Sequence, residues 1–165
     1  MAGVIITYLE MHSPSEILPK RCDDPHFSIR ECTVKQWPFN RFLYLTVGED
    51  WVWDEKRTWT DEQWRAHAES ETLHTHAAYY DGSPAGYFEL HQPHDGRDIK
   101  IAYFGLLPAF LGRGFGGALL TVALEEAWKL KPARVWVHTC TDDHPAALPN
   151  YQARGLKIYK VETVP

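Results

Sequence analysis

Residues 103–120 read YFGLLPAFLGRGFGGALL, a stretch that joins an apolar, strand-like run to a cluster of four glycines. The residues after the glycines, from Ala118 onward, have the apolar spacing of a helix. A helix that begins among glycines presents unpaired backbone N–H groups at the positive end of its dipole, and such a terminus binds anions. This stretch therefore predicts a phosphate-bearing ligand at the start of a helix.

The glycine spacing alone fits more than one kind of phosphate site. Gly112, Gly114 and Gly117 satisfy the fingerprint of a dinucleotide-binding βαβ unit, which also needs an acid at the tip of the next strand to bind the ribose. Here the acids after that strand, Asp142 and Asp143, lie in a loop that contains prolines. This context disfavours a dinucleotide site, and a glycine-rich turn without a ligand stays open as another alternative.

Strand and helix patterns surround the glycine stretch. Helices are expected over residues 114–130 and 145–154, and capped helix starts are expected at Ser13 and Thr60. The strands over residues 73–107 follow one another through turns, as in an antiparallel meander, and the helix after the glycines crosses over to the next strand. The fold class predicted is α+β, with a mixed, mostly antiparallel sheet flanked by helices. The predicted strands are residues 4–10, 41–47, 73–80, 84–91, 99–107, 134–140 and 156–161.

The size and composition of the chain limit the function classes. With a length of 165 and 44% hydrophobic content, residues 1–165 are expected to fold as a single domain with its own core. A net charge of −5 gives no general attraction to nucleic acid or to an anionic membrane, so neither is expected as a partner. No apolar run has the length of a membrane span.

The cysteines and the first residues bear on the compartment. Cys22, Cys32 and Cys140 are odd in number and lack CxxC spacing, which favours reduced thiols over a disulfide framework. The first residues carry no basic region before their short apolar run, so they resemble a first strand more than a signal peptide. A cytoplasmic location is therefore expected.

The loop over residues 51–59 is too aromatic for a simple linker. Tryptophan faces in a pocket wall could hold a cationic or aromatic amine, and an acid beside them could pair with its charge. The alternative is that these tryptophans only cover the core. The substrate-binding residues predicted from this loop are Trp51, Trp53, Asp54, Glu55, Arg57 and Trp59.

The histidines do not predict a metal site. His74 and His76 share a strand face, and others lie nearby in the sequence. A zinc site needs three or four converging ligands, and neither HxxxH nor CxxC spacing is present. No metal is therefore expected.

The glycine cluster resembles the signature of the GNAT (Gcn5-related) N-acetyltransferase superfamily, Gln/Arg-x-x-Gly-x-Gly/Ala at the start of the central helix. Residues 111–116 read LGRGFG, so that Leu111 stands where Gln or Arg is usual. A second family element has the form Asn-x-x-Ala-x-x-x-Tyr-x-x-x-Gly-Phe. Residues 144–156 match it with His144 in place of Asn and Leu156 in place of Phe. The resemblance covers residues 73–161.

The resemblance implies a GNAT-like fold with a central helix after a bulged strand, and acetyl-CoA as co-substrate. It also implies acetyl transfer, by direct attack, to a primary amine of a small-molecule or peptide acceptor. The same resemblance is compatible with a non-catalytic module that binds acyl-CoA as a sensor. An uncovered sheet edge in such a fold would allow a homodimer. The cofactor-binding residues implied are Phe104, Gly105, Leu106, Leu107, Gly112, Arg113, Gly114, Phe115, Gly116, Gly117, His144 and Asn150.

Two residues are the leading catalytic candidates, and Asp54 and Glu55 are held in reserve as bases or as partners of the substrate's charge. The resemblance implies Tyr151 as the general acid, because the family's matching tyrosine lies beside the departing sulfur; a tyrosine packed under the last strand is the alternative. Strand alternation puts Tyr87, Glu89 and His91 on one face of their strand. If that face lines the cleft, Glu89 could act as general base through a water, and otherwise it is a solvated surface glutamate.

Overall fold

The computed structural model describes residues 3–165, which form seven β-strands and four α-helices. Two short 3-10 turns, Pro14–Glu16 and Pro108–Phe110, complete the regular structure of these residues. The helices are α1 (Trp37–Val47), α2 (Asp61–Ala68), α3 (Phe115–Lys129) and α4 (Ala147–Ala153). The strands are β1 (Val4–Met11), β2 (Phe27–Glu31), β3 (Leu73–Tyr80), β4 (Ser83–His91), β5 (Asp98–Leu106), β6 (Arg134–Cys140) and β7 (Lys157–Val164).

The strands form one open sheet in the order β2-β3-β4-β5-β6-β1-β7. Neighbouring strands are antiparallel except for β5 and β6, which are parallel because α3 crosses over between them. The α+β class and the mixed, mostly antiparallel sheet predicted from the sequence are therefore confirmed.

The parallel pair at the centre of the sheet is short. β5 and β6 are registered over three residue pairs, the last being Lys100 with Trp136. Further along β5 the pairing with β4 shifts, since Glu89 lies opposite Tyr103 but Leu90 lies opposite Ile101. The extra residue makes a bulge in β5, and such a bulge bends its strand. Beyond Lys100 the two strands therefore diverge and leave a wedge-shaped cleft.

Helices cover both faces of the sheet. Phe88 of β4 belongs to a core cluster with Leu119 and Leu120 of α3. The neighbouring residue, Tyr87, points to the opposite face and packs with Leu43 of α1. Because side chains alternate along a strand, β4 is buried on both faces. The wedge-shaped cleft lies at the end of β5, between the helix layer on one face of the sheet and the helix layer on the other.

One predicted element is wrong: residues 41–47 are the second half of α1 and not a strand. Short apolar runs fit either structure. The buried positions of α1 are Asn40, Leu43, Tyr44 and Val47, which is a helical spacing. The helix begins next to Pro38, whose fixed φ suits a first turn.

The two capped helix starts have different outcomes. Thr60 accepts a hydrogen bond from Gln63 N, and the reciprocal bond completes a capping box at the start of α2, as predicted. Ser13 and Glu16 also form a capping box, but the helix there is a single 3-10 turn that ends at Glu16. Pro19, three residues after this turn, prevents a longer helix.

Candidate active site

The glycines before α3 have a backbone role. Gly112 has φ +74° and Gly114 has φ +84°, and neither has another atom within 4 Å of the position where a Cβ would lie. Both are in the left-handed region that other residues adopt only with strain. Gly114 is the N-cap of α3, so these two residues turn the chain from the Pro108–Phe110 segment into the helix.

A cavity of about 420 Å³ lies at the start of α3, and we call it the helix-start cavity. It is bounded by the end of β5, the first turn of α3 and one side of α4. Seven of the residues predicted to bind the cofactor line it: Phe104, Gly105, Leu106, Gly116, Gly117, His144 and Asn150.

Two cations border this cavity that the sequence did not single out. A Cβ on Gly117 would lie 2.5 Å from Arg154 Nη1 and 2.6 Å from Lys20 Cδ, so both side chains lie directly against the glycine. The buried Arg154 Nε has no hydrogen-bond partner among residues 3–165. An unpaired guanidinium and a lysine beside a helix N-terminus fit a bound phosphate group, and they therefore fit the pyrophosphate of a CoA molecule.

His144 and Asn150 hold the wall opposite α3. Asn150 Nδ2 donates to Gly116 O over 3.1 Å, which ties α4 to the first turn of α3. His144 Nδ1 accepts from Ala146 N over 2.9 Å, and its ring packs edge-on against Trp51 with 4.7 Å between centroids. Trp51 thus borders the helix-start cavity instead of the cavity described next.

The structure does not bring every predicted cofactor residue to this cavity. The Arg113 guanidinium lies 4.6 Å from the centre of the Tyr80 ring, in an aromatic cluster outside it. Phe115 is 3% exposed and stacks on Phe27, and Leu107 is buried under α1. The predicted residues that do not line the cavity are Leu107, Gly112, Arg113, Gly114 and Phe115.

The end of β5 presents backbone donors to the cleft. The N–H of Leu107 donates to the carbonyl oxygen of Ala85, near the start of β4, over 2.8 Å. N–H directions alternate along a strand, so the N–H groups of Phe104 and Leu106 point away from β4. They face the side of β5 from which β6 has diverged, where a carbonyl oxygen could accept from them.

A second cavity, of about 800 Å³, fills the wedge between β5 and β6, and we call it the wedge cavity. Its walls include Tyr44 of α1, His67 of α2 and Tyr103 of β5, together with the loop after α1. The charged and titratable side chains that line it, tyrosines and Cys140 apart, are Asp54, Glu55, Lys56, His67, His91, Lys100, His138, Asp142 and Asp143.

The two cavities share part of their lining. Trp53, Phe104, Asp143 and Tyr151 border both of them, so the cavities meet at these four residues. Next to the junction, a Cβ on Gly105 would lie 2.4 Å from Val47 Cγ1. The glycine therefore allows α1 to approach β5 closely enough to close one side of the junction.

Tyr151 lies at the junction with a protonated hydroxyl. The residue is 4% exposed and its ring packs edge-on against Phe104, 6.1 Å between centroids. Burial, and then the Asp143 carboxylate, raise the pKa of Tyr151 above its usual value. Asp143 is held by Thr139 Oγ1 at 2.8 Å and by His144 N at 3.0 Å. The phenol can therefore donate a proton to a group that becomes basic beside it.

Glu89 lies beneath the wedge cavity and does not line it. The carboxylate is 1% exposed, and its two oxygens are bound by Asn40 Nδ2 at 2.8 Å and His67 Nε2 at 2.7 Å. Asn40 Nδ2 also donates to Thr75 Oγ1 at 2.9 Å. Tyr87, Glu89 and His91 share a face of β4, as predicted, and this face lies under α1 and α2. Glu89 itself does not reach the wedge cavity, but the imidazole of its partner His67 does.

The tryptophan loop divides between several environments. Asp54, Glu55 and Trp53 line the wedge cavity, whereas Arg57 and Trp59 line neither cavity. Asp54 accepts from Arg57 Nε at 3.0 Å. Glu55 pairs with Lys56 Nζ at 3.2 Å and accepts from the Tyr103 hydroxyl, which lowers the pKa of the Glu55 carboxyl. Both acids of the loop are therefore already paired within the protein.

Trp59 packs outside the wedge cavity, against α2. Its ring meets Trp64 edge-on with 5.2 Å between centroids, and Lys56 Nζ lies 4.2 Å from the centre of the Trp59 ring. Lys56 is therefore held from both sides, by a carboxylate and by aromatic rings.

Among residues 3–165, no three His, Cys, Asp or Glu side chains are placed so that together they could hold a metal ion. None of the helices in these residues is long and apolar enough to cross a membrane. The chain matches a family model described as the acetyltransferase (GNAT) family over residues 30–156, which is more than half of its length. No curated protein matches the sequence.

Solved structures with the same fold are distant in sequence. A GCN5-related N-acetyltransferase from Kribbella flavida aligns with 98% of this chain and 58% of its own, with a TM-score of 0.70 and 15% identity. A GCN5-related N-acetyltransferase from Sphaerobacter thermophilus aligns with 99% of this chain and 51% of its own, with a TM-score of 0.68 and 16% identity. An aminoglycoside acetyltransferase from an uncultured soil metagenomic sample, in complex with trehalose, aligns with 79% of this chain and 88% of its own. Its TM-score is 0.64 and its sequence identity is 14%. The chain spans less than two thirds of the length of several such structures.

Proposed function

The chain belongs to the GNAT acetyltransferase family, and we propose on that basis that it transfers an acetyl group from acetyl-CoA to the primary amine of a small acceptor. The observation that carries the proposal is the junction of the two cavities. One cavity has cations beside a helix N-terminus, the other has aromatic and titratable walls, and they meet at Tyr151. A donor and an acceptor bound in the two cavities would be in contact there.

We assign the helix-start cavity to acetyl-CoA. Lys20, Arg154 and the N-terminus of α3 would bind its phosphates, and the end of β5 would hold its acetyl end at the junction. When bound, acetyl-CoA supplies a thioester carbonyl for attack by the amine. The N–H groups of Phe104 and Leu106 are the donors we assign to the carbonyl oxygen.

We assign two proton transfers to this chain's side chains. Tyr151 is the general acid that protonates the sulfur as it leaves, since its hydroxyl keeps its proton. His67 is the general base that takes a proton from the amine. Glu89 is a positioning residue: its carboxylate accepts from His67 Nε2–H, which leaves the lone pair on Nδ1. Attack is direct, without a covalent enzyme intermediate.

The test uses two measurements on the same protein. We expect acetyl-CoA to raise the melting temperature, and we expect thiol release when acetyl-CoA is mixed with a panel of primary amines. Stabilisation by acetyl-CoA without thiol release from any amine would instead identify a module that binds acyl-CoA. Stabilisation by NAD and not by acetyl-CoA would identify a dinucleotide site, and would contradict the proposal.

A separate experiment tests the assigned base. We expect His67→Ala to lower kcat by about 100-fold, within the range of general base catalysis, with partial recovery on addition of free imidazole. Glu89→Gln should lower kcat with little change in the acceptor KM, because it disturbs the orientation of the imidazole. Thr75→Val is the control: it removes a partner of Asn40 from the same buried network and should lower stability without this loss of kcat. Full turnover in His67→Ala without imidazole contradicts the assignment.

A further inference from the structure

We propose that the acceptor carries an anionic group in addition to its amine, and that Lys100 at the end of the wedge cavity binds that group. This inference rests on the acetyl-transfer function proposed above. It comes from an imbalance among the charged side chains of the wedge cavity. Most of its acids have partners within the protein, whereas one of its two lysines, Lys100, has no carboxylate partner among residues 3–165.

Most acidic side chains that line the wedge cavity have ion-pair or hydrogen-bond partners within the protein. Asp54 pairs with Arg57, Glu55 with Lys56 and Tyr103, and Asp143 with Thr139 and the backbone of His144. Asp142 is exposed at the loop after β6. Three of the four acids that line the cavity therefore have a partner within the protein.

The two lysines of the cavity differ. Lys56 is 8% exposed, and its ammonium group is held by Glu55 and lies over the rings of Trp59 and Tyr103. Lys100 forms no ion pair with any carboxylate of residues 3–165, and its Nζ lies 5.0 Å from the centre of the Trp136 ring. Burial is the largest influence and lowers the pKa of Lys100; the Glu55 carboxylate opposes this, and the charge of Lys56 lowers the pKa further. A half-buried ammonium group without a carboxylate partner is a site for an anion.

Two imidazoles stand beside Lys100. His91 lies directly opposite Lys100 on β4. His138 lies two residues beyond Trp136, the residue that pairs with Lys100 on β6, so all three side chains project from the same face of the sheet. The pKa of each histidine is lowered, first by burial and then by the charge of Lys100, and for His91 also by His67. A neutral imidazole retains one N–H donor, and the three residues therefore offer several donors and one positive charge.

The anion and the amine would occupy opposite ends of the cavity. Lys100 and Phe104 are four residues apart on β5, which corresponds to roughly 13 Å along an extended strand and less across the bulge. The amine must lie near Tyr151, where the two cavities meet, and within reach of His67 on the wall of the wedge cavity. The spacing favours an acceptor whose two charged ends are separated by several carbon atoms, as in an ω-amino acid.

The test compares three amines of matched length with acetyl-CoA as donor: 5-aminopentanoate, pentylamine and 1,5-diaminopentane. These differ only in whether the far end is anionic, neutral or cationic. We expect the anionic amine to have the highest kcat/KM, by about tenfold or more over pentylamine, since one charge-assisted hydrogen bond has an energy equivalent to that factor. 4-Aminobutylphosphonate is a fourth amine, and the better of the two anionic compounds identifies the anion.

The variant Lys100→Met should remove this preference while pentylamine is still acetylated. Lys100→Gln repeats the test with a polar side chain, in case the methionine variant folds poorly. Lys157→Met, at an exposed lysine of β7, is the matched control and should keep the preference. A preference for pentylamine or 1,5-diaminopentane in the parent, or a preference for the anion that persists in both Lys100 variants, overturns the inference.

A measurement without turnover separates this inference from the proposed function. Pentanoate and glutarate lack an amine, and we expect each to stabilise the parent and the Lys157→Met variant, with at least about a tenfold weaker effect in Lys100→Met. If these carboxylates bind through Lys100 but acetyl-CoA neither binds nor reacts, acetyl transfer is wrong and the anion site stands. If acetyl-CoA reacts with amines while the carboxylates do not bind, the anion site is wrong and acetyl transfer stands.

Discussion

The helix-start cavity and the wedge cavity are neighbours, but they are built in different ways. Backbone, glycines, the first turn of α3 and one side of α4 form most of the first, and two cations close it. Side chains from α1, α2, β4, β5, β6 and the tryptophan loop form the second. The first cavity depends on local chain geometry that a short motif can encode. The second depends on residues that are distant in sequence, so it can change its chemistry without changing the fold.

The largest expected effect tests the junction that the two cavities share. Tyr151→Phe should lower kcat by about 100-fold or more through the loss of the general acid, while acetyl-CoA still stabilises the protein. Because burial raises the pKa of Tyr151 above 10.0, the parent should show no loss of kcat from ionisation of this group at any pH below that value. Tyr159→Phe, at an exposed tyrosine of β7, is the control for kcat. Unchanged turnover in Tyr151→Phe across the pH range contradicts the acid role.

The next effect tests how closely the wall of the junction is packed. Gly105→Ala places a Cβ against Val47 Cγ1 and should destabilise the protein by about 1–3 kcal/mol, which urea denaturation measures. Val47→Ala removes the clashing methyl group, so the double variant should be more stable than the sum of the two single effects predicts. Strict additivity would show that α1 does not limit the space at Gly105.

A change in one cavity alone should separate donor binding from acceptor binding. Arg154→Met removes the guanidinium that lies against Gly117, and we expect the KM for acetyl-CoA to rise by about tenfold, as for the loss of one charge-assisted contact. The KM for the amine should change little. Arg97→Met, at an exposed arginine between β4 and β5, is the matched control. An equal rise in both KM values would contradict the separate assignment of the two cavities.

The smallest effect provides a reference outside both cavities. A hydrogen bond to Asp81 raises the pKa of His26 above 6.5, so the folded state favours the protonated imidazole. This contribution to stability is fully present below pH 6.5, the usual value, and is lost as the pH rises through the raised pKa. Melting temperatures of the parent and of His26→Gln should therefore differ at about pH 5.5 and converge at about pH 9. A difference that grows with pH would contradict this assignment.

The features that the sequence predicted are those with local causes. The turn at Gly112 and Gly114 and the helix after it follow from residues adjacent in the chain, and the structure has both. The strand predicted over residues 41–47 is a helix, because a short apolar run fits either period and the tertiary packing on β4 decides. That error also hid Asn40, which lies on α1 immediately before residues 41–47 and binds Glu89.

The side chains that the sequence did not reveal act through contacts between distant segments. Glu89 and His67 are 22 residues apart, and nothing near either residue indicates that they meet. Lys20 and Arg154 both lie against Gly117, from opposite ends of the chain. Conversely, Asp54 and Glu55 look like free acids in the sequence, but neighbouring residues of their own loop neutralise them. Predicting such pairs requires knowledge of which segments are adjacent in space.

The short ladder between β5 and β6 has a consequence for motion. Strands β2 to β5 and strands β6, β1 and β7 are connected within the sheet by three residue pairs. A small rotation about Asp98–Lys100 would alter the width of the wedge cavity and break few backbone hydrogen bonds, so the main resistance comes from the core on α3, which joins residues of both blocks. The same set of side chains could then admit acceptors of different thickness. Amide hydrogen exchange should be faster at the paired residues of β5 and β6 than in β3 and β4.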